Sequence, residues 1–389
     1  MTWIIVSRVL AAGLGVALVV GLEGCKRESG QVVPKEKHVV VALDGNPVTL
    51  DPVAMTEVLS AAVGGAAHAP LMRVDPDGTL VPVLADNITV AADGLSAVIS
   101  LHPGATFWSG QPVTAADVEF SLNRLQKSSS ALKWVCDRIS GFEQRNDREL
   151  LVKFSKPEPD FAKLVANLQC SIVRAGCDKL TNQPFATQIE GAGAFVPTTN
   201  LEPGVAFTFR ANPGFPRRGN VDVLTFSIIP DQQRQIEALR SGRADVIRAR
   251  GPALAETCVA GADGKLRPKP EFGKAVVVQA PASELVFIVF RYAGSKLGDI
   301  PDGERTAFMG ALSGRVERSQ IARTLYLGMA DPAVGVVPPA MLAAAQSAPV
   351  GPPGFKLEAA RRRTLLSAND PSSRQVAGLL QPQFKDVGL

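Results

Sequence analysis

The chain has 389 residues, a length that accommodates two or three domains. Hydrophobic residues make up 46% and charged residues 20%, which supplies packed cores and excludes a largely disordered chain. The formal net charge of +4 at pH 7 gives a nearly balanced surface and argues against a nucleic-acid-coating role, and three scattered histidines, His38, His68 and His102, argue against a His-rich metal site.

Residues 1–24 read as an export leader. Arg8 gives the positive start, and Val9–Val20 is an apolar stretch well short of the roughly 20 residues that span a bilayer. Leu22-Glu23-Gly24-Cys25 resembles the lipobox of bacterial lipoproteins, with Glu23 a departure from its usual small or neutral residue. That likeness makes Cys25 a lipidated anchor, and residues 25–37 a tether. Four further cysteines, Cys136, Cys170, Cys177 and Cys258, allow two disulfides in an exported chain. Cys170 with Cys177 would close a small loop and leave Cys136 with Cys258; four buried thiols is the equal alternative. No CxxC occurs, so neither a zinc ribbon nor a thioredoxin-like motif is present.

Beyond the tether, His38–Leu43 is a β-branched run that predicts a buried strand. Asp44–Pro52 is a loop of breakers, and small residues from Met55 to Ala69 predict a helix. Leu71–Val74 and Thr79–Val83 flank the turn Asp75-Pro76-Asp77-Gly78. Asn87–Val90 and Ser96–Leu101 repeat the pattern around Asp93-Gly94, with Leu95, Ala97, Ile99 and Leu101 expected on one buried face. Thr114 and Asp117 open a helix whose Val118, Leu122 and Leu125 face a core. Strands follow at Leu150–Phe154, Ala206–Arg210, Val223–Ile229, Ala244–Ile247, Val276–Val278 and Glu284–Phe290. Helices are expected at Phe161–Leu168, at Gln232–Ser241 with Gly242 as its stop, around Ala307–Leu312, and at Glu317–Leu327. After a Pro/Gly break at Gly351–Gly354 come a strand-like Arg363–Ser367 and a helix from about Ser372, shortened by Pro382. Strands, hairpins and helices in alternation give a mixed α/β fold with more than one domain.

No GxSxG, HExxH or Walker-type phosphate loop is present, and no paired carboxylates stand out, so an enzyme has no positive support. An ordered series of motifs does stand out: NPVTLDP at Asn46–Pro52, LMRVDPDGTLVPVLAD at Leu71–Asp86, and DGLSAVISLHPGATFWSGQPVTAADVEFSLNRL ending at Leu125. Gly191–Phe195 (GAGAF), Asn212-Pro213, Ile236–Val246 and Val316–Pro339 continue it. In this order they resemble the extracytoplasmic solute-binding proteins of ABC importers, family 5, the peptide- and nickel-binding type.

The resemblance implies a two-lobe periplasmic-binding-protein fold of the large peptide-binding type, shortened at its C-terminus. Lobe I is expected over residues 38–284, with a hairpin subdomain at about 70–190, and a partial lobe II over residues 285–389. It implies lobes that close on a solute, and a lipoprotein held at a bacterial membrane through Cys25. The cargo would be a peptide or another small solute, handed to ABC permease subunits. A monomer is expected, with no cofactor, no metal and no nucleic acid. Thr56, Glu57 and Val58, after Asp51-Pro52, align with the family's ligand-contacting loop, and Glu57 could face a ligand amine. Phe290 and Arg291 fall where the family crosses between lobes, and Arg291 could hold a carboxylate. Phe107-Trp108 reads as core more readily than as cleft lining. The chain departs from the family at Phe215-Pro216, Ala194-Phe195 and Arg291, and it is poor in Tyr and Trp. Those departures motivate an alternative, a degenerate relative that acts as a surface interaction or sensor lipoprotein without transport.

Overall fold

The computed structural model describes residues 2–7, 36–75, 78–177, 189–198, 204, 206–216, 219–249, 252–273, 275–280, 301–328, 330, 332 and 371–384. Cys25, Phe290, Arg291, the expected strands at Glu284–Phe290 and Arg363–Ser367 and the Pro/Gly break lie outside them. The chain divides into two compact units, one of Leu10–Gln235 with Gly242–Asp245, the other of Met1–Val9, Ile236–Ser241 and Val246–Leu389.

In the second unit, β1 (Thr2–Ser7) opens the chain. It lies inside the segment expected to be a leader, yet it pairs antiparallel on both sides with strands of its own unit, given below.

The first unit carries β2 (His38–Leu43), α1 (Val58–Ala67), β3 (Met72–Val74), β4 (Leu80–Pro82), β5 (Ala85–Val90), β6 (Ser96–Leu101) and α2 (Ala115–Lys127). It continues through β7 (Ile139–Asn146), β8 (Glu149–Phe154), α3 (Phe161–Leu164), β9 (Phe195–Pro197), β10 (Phe207–Ala211) and β11 (Val223–Ile228). Within it, β2 pairs in parallel with β11, and β11, β10 and β9 follow antiparallel. Leu43, Phe207, Phe209 and Phe226 from this sheet bury against Leu50 and the Val63, Ala66 and Ala67 face of α1. Phe209 and Phe226 meet edge to face, with ring centroids 5.7 Å apart.

A second, fully antiparallel sheet in the same unit runs β5-β6-β8-β7, and β3 and β4 form a separate hairpin. Ala97, Ile99 and Leu101 face its core as the alternation predicts, while Leu95, just before the strand, is exposed. α2 forms where Thr114 and Asp117 predict it, because the Asp117 carboxylate reaches back to the Thr114 N–H at 2.9 Å. Its Val118, Leu122 and Leu125 are completely buried with Ile99, Phe107, Val152 and Phe161. β7 was not expected: most of ISGFEQRN is polar and exposed, as an edge strand permits.

α4 (Gln232–Arg240) carries the boundary between the units. The second unit then holds β12 (Val246–Ala249), α5 (Pro252–Thr257), the hairpin β13 (Cys258–Ala260) and β14 (Leu266–Pro268), and β15 (Ala275–Ala280). β1 pairs antiparallel with β12 on one side and with β15 on the other. Helices α6 (Asp302–Arg315), α7 (Arg318–Tyr326) and α8 (Pro371–Phe384) complete it. Phe308, Leu312, Ala322, Leu325, Leu380 and Phe384 are buried among their described residues. The Gln383 side chain accepts the Glu317 N–H at 2.9 Å, at the start of α7.

Candidate functional site

The motif-bearing residues of the first unit converge around the two ends of α1. At its start, Glu57 is the N-cap. Its carboxylate accepts the Leu59 and Ser60 N–H groups, each at 2.6 Å, and the Val48 N–H at 3.3 Å. Partial burial alone would push this carboxyl up; hydrogen bonds from the Ser60 side chain and the Leu59, Ser60 and Val48 backbone outweigh it, leaving Glu57 below the ordinary carboxylate value. Glu57 therefore holds the loop to the helix. Its neighbours Thr56 and Val58 are exposed, as is Val48, which Ser60 Oγ holds through a 2.9 Å hydrogen bond from the Val48 N–H.

Behind this loop lies a buried ion pair. Arg124 of α2 grips Asp51 with two hydrogen bonds, Nη1 to Oδ1 at 2.7 Å and Nη2 to Oδ2 at 2.6 Å. The side chains keep 9% and 12% of their exposure, so the pair is withdrawn from water. Asp51 Oδ1 also accepts the Val53 N–H at 3.2 Å, which opens the 3-10 turn Pro52–Ala54. The Gln169 amide donates to the Met55 carbonyl, tying the same turn to a 3-10 turn at Leu168–Cys170. Two motifs that are far apart in sequence, LDP and SLNRL, thus meet in one fork-to-fork contact.

At the other end of α1 the Ala67 carbonyl accepts Trp108 Nε1 at 3.1 Å and the Gly193 N–H at 3.0 Å. It is one of the helix's terminal carbonyls, so these donors replace missing helix partners. The glycines of GAGAF are required by proximity: a Cβ at Gly191 would lie 2.3 Å from Ala67 O, and one at Gly193 would lie 2.3 Å from Ala67 C. Asn212 then secures the loop, its Nδ2 donating to Gly193 O at 2.9 Å and its Oδ1 accepting the Gly214 N–H at 3.0 Å. Glu190 accepts the Ser109 N–H at 2.8 Å and pairs with Arg174 at 3.0 Å. Phe107 is buried, as expected, and Trp108 is half-buried beside His68, with ring centroids 5.7 Å apart.

His68 is a feature the sequence reading passed over. It is the C-cap of α1, almost wholly buried, and its Nδ1 has no hydrogen-bond partner. That nitrogen lies where a Gly191 Cβ would approach it to 2.6 Å, so a bare Cα leaves the ring its space. Burial pushes the imidazole down to about 4; the Asp51 charge and a hydrogen bond to the Leu50 backbone pull upward, and the Arg124 charge pushes downward. The neutral ring is the folded form. Because this value lies below the unfolded one of 6.5, the unfolded chain takes up the proton first as pH falls, and stability drops from about pH 6.5 toward pH 4. Between pH 7.5 and 4.5 the expected loss from this group is about 2–3 kcal/mol. Urea unfolding at both pH values should show a drop smaller by that amount in His68→Gln; equal drops in both proteins would refute the assignment.

The four cysteines are buried and carry thiols, with no disulfide among them. This matches the alternative of four buried thiols: Cys136 and Cys170 lie in the core beneath α2, Cys177 packs with Val173 and Ile189, and Cys258 lies in the second unit beside Thr257. Among the described residues, no three His, Cys, Asp or Glu side chains cluster as a metal site, and no helix is long and apolar enough to cross a membrane. Apart from His68 Nδ1, the polar groups named at the two ends of α1 are engaged in capping and pairing, and the exposed loop beside it offers surface at Val48, Thr56 and Val58.

Residues 79–389 match the pattern of the bacterial extracellular solute-binding proteins, family 5 (middle region), which is well over half of the chain. The chain belongs to this family. The mixed sheets and two units are those of the two-lobe solute-binding fold. This solute-binding protein is 25% identical over 377 residues to the glutathione-binding protein GsiB of Escherichia coli O6:K15:H31 (strain 536 / UPEC), covering 91% of this chain and 68% of that one. Its fold is similar to that of the oligopeptide-binding protein AppA from Bacillus subtilis, solved with a nonapeptide: TM-score 0.72, 17% identity, 91% of this chain and 74% of the other. NikZ from Campylobacter jejuni, solved with Ni(L-His), matches at TM-score 0.69 and 18% identity over 90% and 72% of the two chains. OppA of Haemophilus influenzae, in complex with RPPGFSPFR, matches at TM-score 0.51 and 20% identity, over 57% of this chain and 48% of that chain. This solute-binding protein therefore spans about two thirds of GsiB and about half of OppA.

Proposed function

We propose that this protein captures a peptide or a peptide-like small solute outside the cytoplasmic membrane and delivers it to the permease of an ABC importer. The observation that carries this reading is the family match over residues 79–389. The name of GsiB, a relative along most of this chain, points to a small peptide as cargo. The absence of a catalytic motif in the sequence agrees with a binding role. We assign the leader to residues 1–24 and the lipid to Cys25, on the apolar run and the lipobox-like spacing.

Solute contacts are proposed for Thr56 and Val58, which are exposed beside a loop fixed from behind by Glu57, Asp51 and Arg124. Backbone groups of that loop would pair with an extended ligand while the side chains tune fit. Phe290 and Arg291 remain proposed contacts on the family alignment, with Arg291 facing a carboxylate. Glu57 contributes by holding the loop rather than by meeting an amine directly.

Thermal melts with and without glutathione, and with a pool of di- to pentapeptides, test the reading. A ligand present at 100 times its Kd should add about 2.7 kcal/mol and raise the midpoint accordingly. The shift should shrink in Thr56→Asp and in Arg291→Met without loss of the cooperative transition. A cooperative melt that no peptide moves would refute peptide capture and favour the interaction or sensor role.

A further inference from the structure

We infer that Val48 joins Val58 in an apolar subsite that takes an uncharged, apolar side chain of the solute, so that apolar peptides bind in preference to polar ones such as glutathione. The inference rests on the peptide-capture reading and names the class of cargo within it. Val48 and Val58 are 65% and 61% exposed, the two most exposed large apolar side chains among the described residues. They stand at one junction: the Val48 N–H donates to the Glu57 carboxylate, and Val58 follows Glu57 as the first residue of α1. Single exposed valines are ordinary on a protein surface, but these two are not scattered.

The loop that carries Val48 is fixed before any solute arrives. The Val48 and Thr49 N–H groups both donate to Ser60 Oγ, at 2.9 and 3.0 Å. The Asp51 N–H donates to Thr49 Oγ1 at 3.0 Å, and Asn46 Oδ1 accepts the Gly204 N–H at 2.8 Å. A ligand that settles on such a surface pays little to order it. From Gly45 to Ala61 the only ionisable side chains are Asp51 and Glu57. Arg124 closes off Asp51, and Glu57 accepts the Val48, Leu59 and Ser60 N–H groups, so both charges are engaged within the protein. The exposed side chains of this stretch are Asn46, Val48, Ala54, Thr56 and Val58, and Asn46 is engaged with Gly204. The surface on offer is therefore two valines, an alanine methyl and one threonine. A carboxylate or ammonium set down there would lose water and meet no opposite charge from this stretch, whereas a leucine side chain gains by leaving water. Glutathione, with its charged groups close around a short thiol side chain, has little to place on it.

The test is titration calorimetry of the full chain with trileucine, triserine and glutathione. Trileucine should bind about tenfold or more tightly than either of the others. In the double variant V48N/V58N that preference should collapse, through weaker trileucine binding and an unchanged Kd for triserine. Val259→Asn, at an exposed valine of the β13 hairpin in the other unit, should keep the preference in full. If V48N/V58N does not melt cooperatively, Val48→Thr, which keeps the shape and adds a hydroxyl, decides by the same ratio. Equal affinity of the parent for trileucine and triserine overturns the inference, as does a preference that survives the substitutions, and both results leave peptide capture standing. A parent that binds none of the three, nor any member of the peptide pool, overturns peptide capture and this inference together.

Discussion

Replacing Arg124 with Met is expected to destabilise the first unit by about 3–5 kcal/mol, because it strands a buried carboxylate. Asp51 is held by two short guanidinium bonds, and both side chains are nearly sealed from water. Met fills much of the volume but supplies neither charge nor donors, so Asp51 must either stay charged without a partner or take up a proton. Arg124→Lys should recover only part of the loss, since an ammonium cannot present the planar fork. The double variant D51N/R124M should be less damaged than Arg124→Met alone, because the unpaired charge is gone. Urea denaturation of the parent, Arg124→Met, Asp51→Asn and the double variant yields the coupling directly. If Arg124→Met costs less than about 1 kcal/mol, the pair behaves as a solvated surface contact and its assignment as the buried joint fails.

Gly193→Ala is expected to cost about 3 kcal/mol or more, at the upper end of overpacking effects. The added methyl would stand 2.3 Å from Ala67 C, 2.5 Å from Ala67 O and 2.6 Å from His68 N. All three are backbone atoms of the α1 terminus, so no side-chain rotation relieves the collision. The loop must retreat, and the hydrogen bonds from the Gly193 N–H to Ala67 O and from Asn212 to Gly193 O go with it. The control is Gly110→Ala, where the space is open but φ is +83°; it should cost only the smaller strain of that backbone conformation. A Gly193→Ala protein that melts within a degree or two of the parent would show that the loop does not press on α1.

Local patterns made much of this fold legible. α2 is written in Thr114 and Asp117 at its start and in Val118, Leu122 and Leu125 along one face. The β5–β6 hairpin follows from alternation around Asp93-Gly94, although Leu95, expected on the buried face, lies just before the strand and turns to solvent. β7 escaped because an edge strand of mostly polar residues has no periodic apolar signal. β1 escaped because its apolar residues were read as part of a leader. The joint of Asp51 with Arg124 was present in the quoted motifs, but its partners are 73 positions apart, and nothing local announces such a pair. Glu57 is a ligand-contact candidate through its place in the loop that resembles the family's; its role as N-cap is hidden in the sequence because Glu is not among the preferred N-cap residues. The cysteines left two readings open in the sequence, because spacing does not give connectivity, and the structure has them as buried thiols.

The joint between the LDP turn and α2 also separates two kinds of evolutionary freedom. Asp51 and Arg124 interlock behind the loop, Trp108, Gly193 and Asn212 interlock at the other end of α1, and a change in either group disturbs its neighbours. Thr56 and Val58 stand clear of that lattice on the exposed side. Selection can therefore rewrite the outer positions by single steps, with no compensating change inside. With Thr56 and Val58 as the proposed solute contacts, a lineage built this way would change its solute faster than its recognisable signature.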